Sequence, residues 1–184
     1  MVRLLLERDP SLYFSVSAKT RDPRPGEVQG RDYLFMSDRD FDDLIHRDAF
    51  LEWAEMFGHR SGTLAGPVRD ALGQGRDVIL ELDVQGARTV RERVRGAVLV
   101  FITPPTREEL ERRLRARGTE DPADLERRLA AADWEMAQRD WFDHVVENDD
   151  LSRAAREVAD IIDSYRRQQA GEKGDDRSQD RRPP

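Results

Sequence analysis

Two apolar runs near the middle of the chain constrain its fold more than any other feature. Asp77–Leu82 (DVILEL) and Ala97–Ile102 (AVLVFI) are short and nearly continuous in apolar residues. Such runs are typical of strands that are buried on both faces of a parallel sheet. A helical pattern over Ala87–Val94 lies between them, so the order is strand, helix, strand. The chain is therefore predicted to be an α/β protein, with Glu81 and Asp83 at the ligand-binding carboxyl end of the first strand.

The composition fits one such domain and argues against several other classes. The 184 residues are 38% hydrophobic and 38% charged, which suits a soluble α/β protein rather than a fibrous or membrane protein. The net charge of −7 argues against non-specific nucleic-acid binding. No cysteine is present, which excludes disulfides and cysteine-ligated metals. Without a signal-peptide pattern or an apolar run of about 18 residues, a cytoplasmic location without membrane contact is expected.

The polar loop Ser15–Tyr33 (SVSAKTRDPRPGEVQGRDY) follows a predicted strand over Leu12–Val16. Its prolines stiffen the backbone around Arg21 and Arg24, and two guanidiniums on a stiff loop suit a phosphate or a carboxylate. Hydroxyl donors are available from its serines and from Tyr33. The alternative is a solvated surface loop, which composition alone favours because arginine is abundant throughout the chain.

A predicted strand over Phe50–Phe57 (FLEWAEMF) places Glu52 on one face with Phe50, Ala54 and Met56. A carboxylate among apolar side chains needs a partner. One interpretation is a structural ion pair with an arginine. The other is a base receptor, because one carboxylate can accept both the N1–H and the N2–H of guanine. Adenine presents an acceptor at N1 and would face the carboxylate badly.

Two arginine-rich helices are predicted over Thr106–Arg117 and Asp124–Gln138. Arg127 and Arg128 lie near the start of the second helix, where the helix dipole favours acidic residues. This placement weakly indicates a role other than stability, and the alternative is a solvated hairpin. The other predicted elements are helices over Met1–Arg8, Ser37–Arg47 and Gly66–Gly75, strands over Tyr33–Met36 and Phe142–Glu147, a turn at His59–Thr63, a last helix ending near Gln169 and a disordered tail over Ala170–Pro184.

The pattern S-V-S-x-x-T-R-x-P-R-x-G-E-x-x-G-x-D-Y over Ser15–Tyr33 resembles the GMP-phosphate-binding segment of guanylate kinases, and the resemblance extends over about Val2–Arg167. It implies a P-loop NTPase-like α/β fold, with a parallel sheet core, helices on both faces, an inserted GMP-binding lobe and a helical lid. The implied divisions are a core of 1–16, 64–105 and 139–169, a GMP-binding lobe of 17–63, a lid of 106–138 and a tail of 170–184.

The resemblance implies transfer of a phosphoryl group from ATP to GMP, with Mg²⁺ arriving as the nucleotide complex and no metal ligands from the protein. The implied phosphate contacts of GMP are Ser17, Arg21, Arg24 and Tyr33, and the implied guanine contacts are Glu52, Thr63 and Asp83. The implied catalytic residues are Arg24, Arg113, Arg117 and Arg128. Asn148 and Asp149 resemble the loop beside the adenine of ATP.

Two departures from the family pattern affect these expectations. Ser61 stands where the family usually has a tyrosine that contacts phosphate. Neither lysine, Lys19 or Lys173, lies in a G-x-x-x-x-G-K-[ST] motif, and the family's central first strand is absent. We expect a gene start further upstream, and we expect the chain as written to be marginally stable and unable to hold ATP.

Two alternatives remain open. One is a non-catalytic guanylate-kinase-like module that binds GMP or a protein partner. Such modules tend to lose GMP contacts, whereas Arg21, Arg24, Tyr33 and Glu52 are kept here. The other is a ribose bisphosphate kinase of the same superfamily, which should lack the guanine-reading Glu52 and Thr63.

Overall fold

The computed structural model describes residues 1–56, 58–116 and 122–179, in which seven α-helices are interspersed with eight strands. The helices are α1 (Val2–Arg8), α2 (Asp38–His46), α3 (Ala65–Gly73), α4 (Val84–Arg93), α5 (Arg107–Ala116), α6 (Pro122–Met136) and α7 (Leu151–Gln179). The strands are β1 (Tyr13–Phe14), β2 (Ala18–Lys19), β3 (Leu34–Phe35), β4 (Phe50–Met56), β5 (His59–Leu64), β6 (Val78–Ile79), β7 (Val100–Thr103) and β8 (His144–Glu147).

The chain divides into two units that are described separately. The N-terminal unit contains Val2 and Leu6–Leu99. The C-terminal unit contains Met1, Arg3–Leu5 and the chain from Val100 onward. Each unit contains a two-stranded parallel sheet, β1–β6 in the N-terminal unit and β7–β8 in the C-terminal unit.

The N-terminal unit also holds a four-stranded mixed sheet with the order β3-β2-β5-β4. The predicted turn at His59–Thr63 is wrong, because these residues form strand β5, which pairs antiparallel with β4. The turn lies one step earlier, at Gly58, whose φ of 74° suits glycine. Gly62 lies inside β5, where a Cβ would approach the Trp53 Cβ to 2.8 Å. Because β5 needs glycine for this close approach, it lacks the apolar pattern of a typical strand.

An apolar cluster of the N-terminal unit lies against this mixed sheet. Ala18, Phe41 and Phe50 are buried together, and the rings of Phe41 and Phe50 stack with their centroids 4.4 Å apart. Helix α2 supplies Phe41, and the predicted N-cap of this helix is confirmed, since the Ser37 hydroxyl accepts a hydrogen bond from the Asp40 N–H. The cluster therefore anchors β4, the strand that carries Glu52.

Around Asp77–Leu82 the structure differs from the prediction. Only Val78 and Ile79 pair as a strand, and both are half-buried. The helix that follows begins at Val84 rather than Ala87, because Asp83 caps it: the Asp83 Oδ1 accepts the Gly86 N–H at 2.7 Å. Strand β2 (Ala18–Lys19) was not predicted, since only two residues of the polar loop enter the sheet.

In the C-terminal unit, β7 and β8 pair in parallel from Val100 opposite His144 to Thr103 opposite Glu147. The fully buried Val146 lies on β8. Helix α7 runs to Gln179, whereas the sequence places its end near Gln169 and a disordered tail after it. The segment beyond 169 contains Gln, Ala, Glu, Lys and Arg, which are good helix formers, and this outweighs its glycines. The predicted tail from 180 to 184 lies outside the described residues.

Two features are absent from the described residues. No helix in the described part of the chain is long and apolar enough to span a membrane. Over the same residues, no group of three or more His, Cys, Asp or Glu side chains could hold a metal ion.

Candidate active site

Glu52 is a buried charged residue of the N-terminal unit. Glu52 is 6% exposed. It lies opposite Thr63 in the β4–β5 pairing, and Thr63 is 1% exposed. A Cβ added to Gly86 would lie 2.8 Å from the Glu52 Oε2, so the carboxylate rests against the first turn of α4. The partial positive charge of a helix N-terminus favours a carboxylate there. The burial predicted for Glu52 is therefore confirmed.

The Glu52 carboxylate forms no ion pair with a lysine or arginine anywhere in residues 1–56, 58–116 and 122–179. The nearby Arg93 instead donates to the backbone, with 3.0 Å from its Nη1 to the Leu51 carbonyl oxygen. A cavity of about 300 Å³ borders Glu52 and is also lined by Arg93. The interpretation of Glu52 as half of a structural ion pair is therefore wrong for the described residues.

Burial raises the pKa of the Glu52 carboxyl, and the charge of Asp83 raises it further, while Thr63 and Lys19 act in the opposite direction. Hydrogen bonding from the side chain and the backbone of Thr63 favours the charged form of Glu52. The Thr63 Oγ1 nevertheless lies in no hydrogen bond of ordinary geometry within the described part of the chain. Because buried polar groups are normally paired, Glu52 and Thr63 together leave an acceptor and a hydroxyl for a ligand.

Asp83, a predicted guanine contact, has a structural task. One of its oxygens, Oδ1, accepts the Gly86 N–H and caps α4. The capped helix holds Gly86 against the Glu52 carboxylate. Asp83 therefore helps to position Glu52, and its second carboxylate oxygen is not used by the cap. Direct contact of Asp83 with a base stays a prediction.

Arg21 is held in a fixed orientation by Glu27. The two side chains form a bidentate pair with both N–O distances at 2.7 Å, and the Arg21 guanidinium lies 5.2 Å from the centre of the Tyr33 ring. Hydrogen bonding to Arg21 lowers the pKa of Glu27 to about 2. Glu27 was not among the predicted site residues, and it offsets one positive charge of the loop. The phosphate-binding role of Arg21 stays a prediction.

Lys19 lies beside these groups and was also not predicted as a site residue. Its Nζ donates to the Ser61 Oγ at 3.2 Å and lies 4.7 Å from the centre of the Tyr33 ring. Its pKa is lowered, first by burial and then by Arg21 and Arg24, while Glu81 and Asp83 oppose the shift. The sequence did contain a feature that could have singled out Lys19, because lysine occurs only twice in it.

Tyr33 and Ser17 belong to the same region. Burial raises the pKa of the Tyr33 phenol, and the charge of Glu81 raises it further. Ser17 is buried, and its backbone oxygen accepts the Leu34 N–H at 2.9 Å, next to the β2–β3 pairing. The structure thus brings most of the predicted GMP contacts into one region of the N-terminal unit.

Two of the predicted lid arginines, Arg113 and Arg128, lie in the C-terminal unit. Arg113 on α5 donates to the Glu109 Oε1 at 2.6 Å and to the Asn148 carbonyl oxygen at 2.9 Å. Arg128 is half-buried on α6. Arg117 lies outside the described residues.

Asn148 and Asp149 connect β8 to α7. The Asn148 N–H donates to the Thr103 carbonyl oxygen at 2.7 Å, continuing the β7–β8 pattern. The Asp149 Oδ1 accepts from the Arg153 Nη2 at 2.6 Å, and this hydrogen bond lowers the pKa of Asp149. The Asp149 carboxylate is therefore paired within the chain, and contact of this loop with adenine stays a prediction.

Comparisons with known proteins agree with this picture. The family model described as guanylate kinase matches residues 1–165. The guanylate kinase of Nocardia farcinica is 50% identical over 164 residues, covering 88% of this chain and 85% of the relative. That of Mycobacterium sp. (strain MCS) is 51% identical over 164 residues, covering 88% and 83%.

A crystal structure of guanylate kinase from Anaplasma phagocytophilum superimposes with a TM-score of 0.77 at 32% sequence identity, covering 89% of this chain and 79% of that chain. The prediction of an α/β, P-loop NTPase-like fold is confirmed by this likeness.

Proposed function

The chain belongs to the guanylate kinase family, and we propose on this premise that it recognises GMP and transfers the γ-phosphate of ATP to it, giving GDP and ADP. The observation that carries the proposal is the carboxylate of Glu52, a residue that is 6% exposed, together with the buried Thr63 hydroxyl, which forms no hydrogen bond of ordinary geometry in the described residues. Keeping a carboxylate in such a place costs the fold free energy. A ligand that donates to it offsets that cost.

Guanine suits this pair of groups. Its N1–H and N2–H point the same way, so both can donate to the two oxygens of Glu52. The Thr63 hydroxyl then has a proton to give to an acceptor on the base. Adenine would set the lone pair of N1 against the carboxylate. Mismatches of this kind, which leave buried polar groups unpaired, discriminate by on the order of 10⁴-fold.

The phosphate of GMP would be bound by Ser17, Arg21, Arg24 and Tyr33. Arg21 is already oriented by Glu27, so little side-chain entropy is lost when it contacts a ligand. Arginine suits this task because its planar guanidinium donates two parallel hydrogen bonds to a phosphate. We assign these residues to a GMP-binding lobe of 17–63, with Asp83 supporting Glu52 from outside it.

For the transfer step, we assign Arg24, Arg113, Arg117 and Arg128 to the charge that develops on the phosphoryl group, within a lid of 106–138. Phosphoryl transfer requires positioning and positive charge rather than covalent catalysis by the protein. Mg²⁺ would enter as the ATP complex and neutralise phosphate charge. Asn148 and Asp149 are assigned to the adenine side of ATP, and the reaction is placed in the cytoplasm, where both nucleotides are found.

A specific observation supports a second candidate, a GMP-binding protein without transfer activity. The 184 residues contain no G-x-x-x-x-G-K-[ST] motif, the sequence that commonly cradles the phosphates of ATP. A protein of this kind would bind the guanine and the phosphate of GMP but would not catalyse phosphoryl transfer.

Titration of the 184-residue protein with GMP and with AMP, followed by an assay of ADP and GDP formation, tests both candidates. Selective binding of GMP with product formation supports the kinase. Selective binding of GMP without product formation, at saturating ATP and Mg²⁺, supports the binding protein. Equal binding of GMP and AMP, or binding of neither, would refute the roles given to Glu52 and Thr63.

A further inference from the structure

Lys19 and Ser61 face each other across two paired strands of the N-terminal unit. They are direct partners in the antiparallel pairing of β2 with β5, and the Lys19 Nζ donates to the Ser61 Oγ at 3.2 Å. Directly opposite residues of an antiparallel pair project their side chains to the same face. Ser61 is the position at which the sequence departs from the tyrosine of the family pattern, and the resemblance implies that this tyrosine contacts phosphate.

We infer that Lys19 is a substrate-binding residue that donates to the phosphate of GMP in the space left by the small Ser61 side chain. This inference rests on the proposed function, since it concerns the same site. It adds a residue to that site that neither the sequence pattern nor the family resemblance assigns.

The distribution of charge around the loop supports the inference. The guanidinium of Arg21 is already matched by the carboxylate of Glu27, at 2.7 Å. Lys19 has no carboxylate within 4.0 Å in the described ranges, and its neighbours at contact distance are the Ser61 hydroxyl and the Tyr33 ring. An ammonium group has three donors, and a single one is used here. The other two can bind an anion.

The surroundings of Lys19 also favour an anionic ligand. The side chain is part-buried, and the positive charges of Arg21 and Arg24 act on it together with the opposing charges of Glu81 and Asp83. Burial and the two arginines lower its pKa. The protein therefore holds this cation at a cost in stability, as expected of a residue whose partner is a ligand rather than another side chain.

A purely structural role of Lys19 predicts a different experimental result. If Lys19 served only to hold Ser61 and the β2–β5 pairing, its replacement would destabilise the protein and would lower the affinity for every ligand of the site by the same factor. If it binds phosphate, its replacement by an uncharged residue of similar length should leave the thermal unfolding temperature unchanged or raise it. The loss should then be confined to ligands that carry a phosphate.

The experiment measures the dissociation constants of GMP and guanosine by calorimetry for the 184-residue protein and for Lys19→Met. Lys173→Met is the matched control, because it makes the same change at the other lysine of the sequence. We expect Lys19→Met to weaken GMP binding by about 10- to 100-fold, since a charge-assisted hydrogen bond is lost. Guanosine binding should change less than about 2-fold, and Lys173→Met should match the parent protein for both ligands.

Two further variants keep the test decisive if Lys19→Met folds poorly. Lys19→Arg keeps the charge and should bind GMP within a few-fold of the parent protein. Adding Ser61→Tyr to Lys19→Met supplies a phenol donor across the strand pair and should restore part of the lost GMP affinity. Thermal unfolding of each variant is measured in parallel.

The outcomes separate the inference from the function on which it rests. If the parent protein binds GMP and Lys19→Met binds it equally well, the inference is wrong and the proposed function stands. If Lys19→Met weakens the binding of guanosine as much as the binding of GMP, the role of Lys19 is structural and the inference is also wrong. If the parent protein binds neither ligand, the proposed function fails, and the inference fails with it.

Discussion

Replacing Glu52 by glutamine tests the proposed recognition of guanine at the one buried carboxylate of the described residues. The amide presents one acceptor and one donor where the carboxylate presents two acceptors. One of the two guanine N–H groups would then face a donor. Losing a hydrogen bond to a charged group costs about 1.5–3 kcal/mol. At about 1.4 kcal/mol per decade, GMP should bind roughly 10- to 150-fold more weakly.

Stability should change in the opposite direction. Burial raises the pKa of Glu52 above its usual value of 4.5. Because the folded state holds this proton to a higher pH than the unfolded state, ionisation of Glu52 lowers the free energy of unfolding as the pH rises from the unfolded pKa of about 4.5 through the raised folded pKa. Glutamine has no charge to bury, so the variant should be as stable as the parent protein at neutral pH, or more stable.

The same pKa shift gives a pH dependence of binding. Guanine recognition requires the ionised carboxylate, and a raised pKa means that protonation begins at a higher pH than for an exposed glutamate. GMP affinity of the parent protein should therefore fall as the pH is lowered toward and below that pKa. The glutamine variant should lack this component, because it cannot be protonated.

The assay combines calorimetry with GMP and AMP, over a range of pH, with urea unfolding of the same preparations. Glu55→Gln is the matched control, because Glu55 lies on the same strand and is exposed. The control should leave GMP affinity within about 2-fold of the parent. Loss of stability in Glu52→Gln together with unchanged GMP affinity would refute the argument, since it would make Glu52 a structural residue.

Three further predictions follow from the contacts of the described residues. Gly86→Ala should weaken GMP binding, because the new Cβ would lie 2.8 Å from the Glu52 Oε2, and should change stability little, because alanine favours the helix by about 1 kcal/mol. Calorimetry and urea unfolding compare this variant with the control Gly66→Ala, whose new Cβ would have no atom within 4 Å. Glu27→Gln should lower the free energy of unfolding at pH 7 by about 1–2 kcal/mol after solvent screening; its carboxyl pKa is lowered from 4.5 to about 2, so this stability is lost as the pH falls through that window, and urea unfolding of the variant at pH 7 and pH 3 should show a weaker acid dependence than the parent. Arg113→Ala should lower the turnover number by on the order of 10²–10³ with GMP affinity unchanged, as measured by product formation and calorimetry, whereas Arg112→Ala on the same helix should not; equal losses in both quantities would contradict the proposed role.

The features that sequence reasoning predicted well depend on short-range periodicity. Burial of Glu52 follows from alternation along a single strand, because residues two apart share a face. The Ser37 cap follows from a local hydrogen bond to the N–H of Asp40, three residues further on. Neither inference requires knowledge of what lies across the fold. Both were therefore within reach of the sequence.

The features that were missed depend on pairing between segments. Strand β5 contains Gly62 because its neighbour Trp53 approaches closely across the hairpin, and a glycine among polar residues indicates a turn when the partner strand is unknown. The pairing of Arg21 with Glu27 is similar, since it depends on how the loop folds back on itself. Charge and spacing alone could not identify which acid that arginine would meet.

Lys19 shows how such pairings change the interpretation of a site. In the sequence it lies two residues before Arg21 and resembles one more positive charge in a basic loop. In the structure it faces Ser61 on the adjacent strand of the sheet, while the carboxylate of Glu27 is already bound to Arg21. The positive charge left for an anion is therefore carried by Lys19 as well as by arginine. The sequence departs from the family pattern at Ser61, and Lys19 supplies a suitable donor at the position directly opposite. A donor at that position can replace a lost side-chain contact without movement of the backbone.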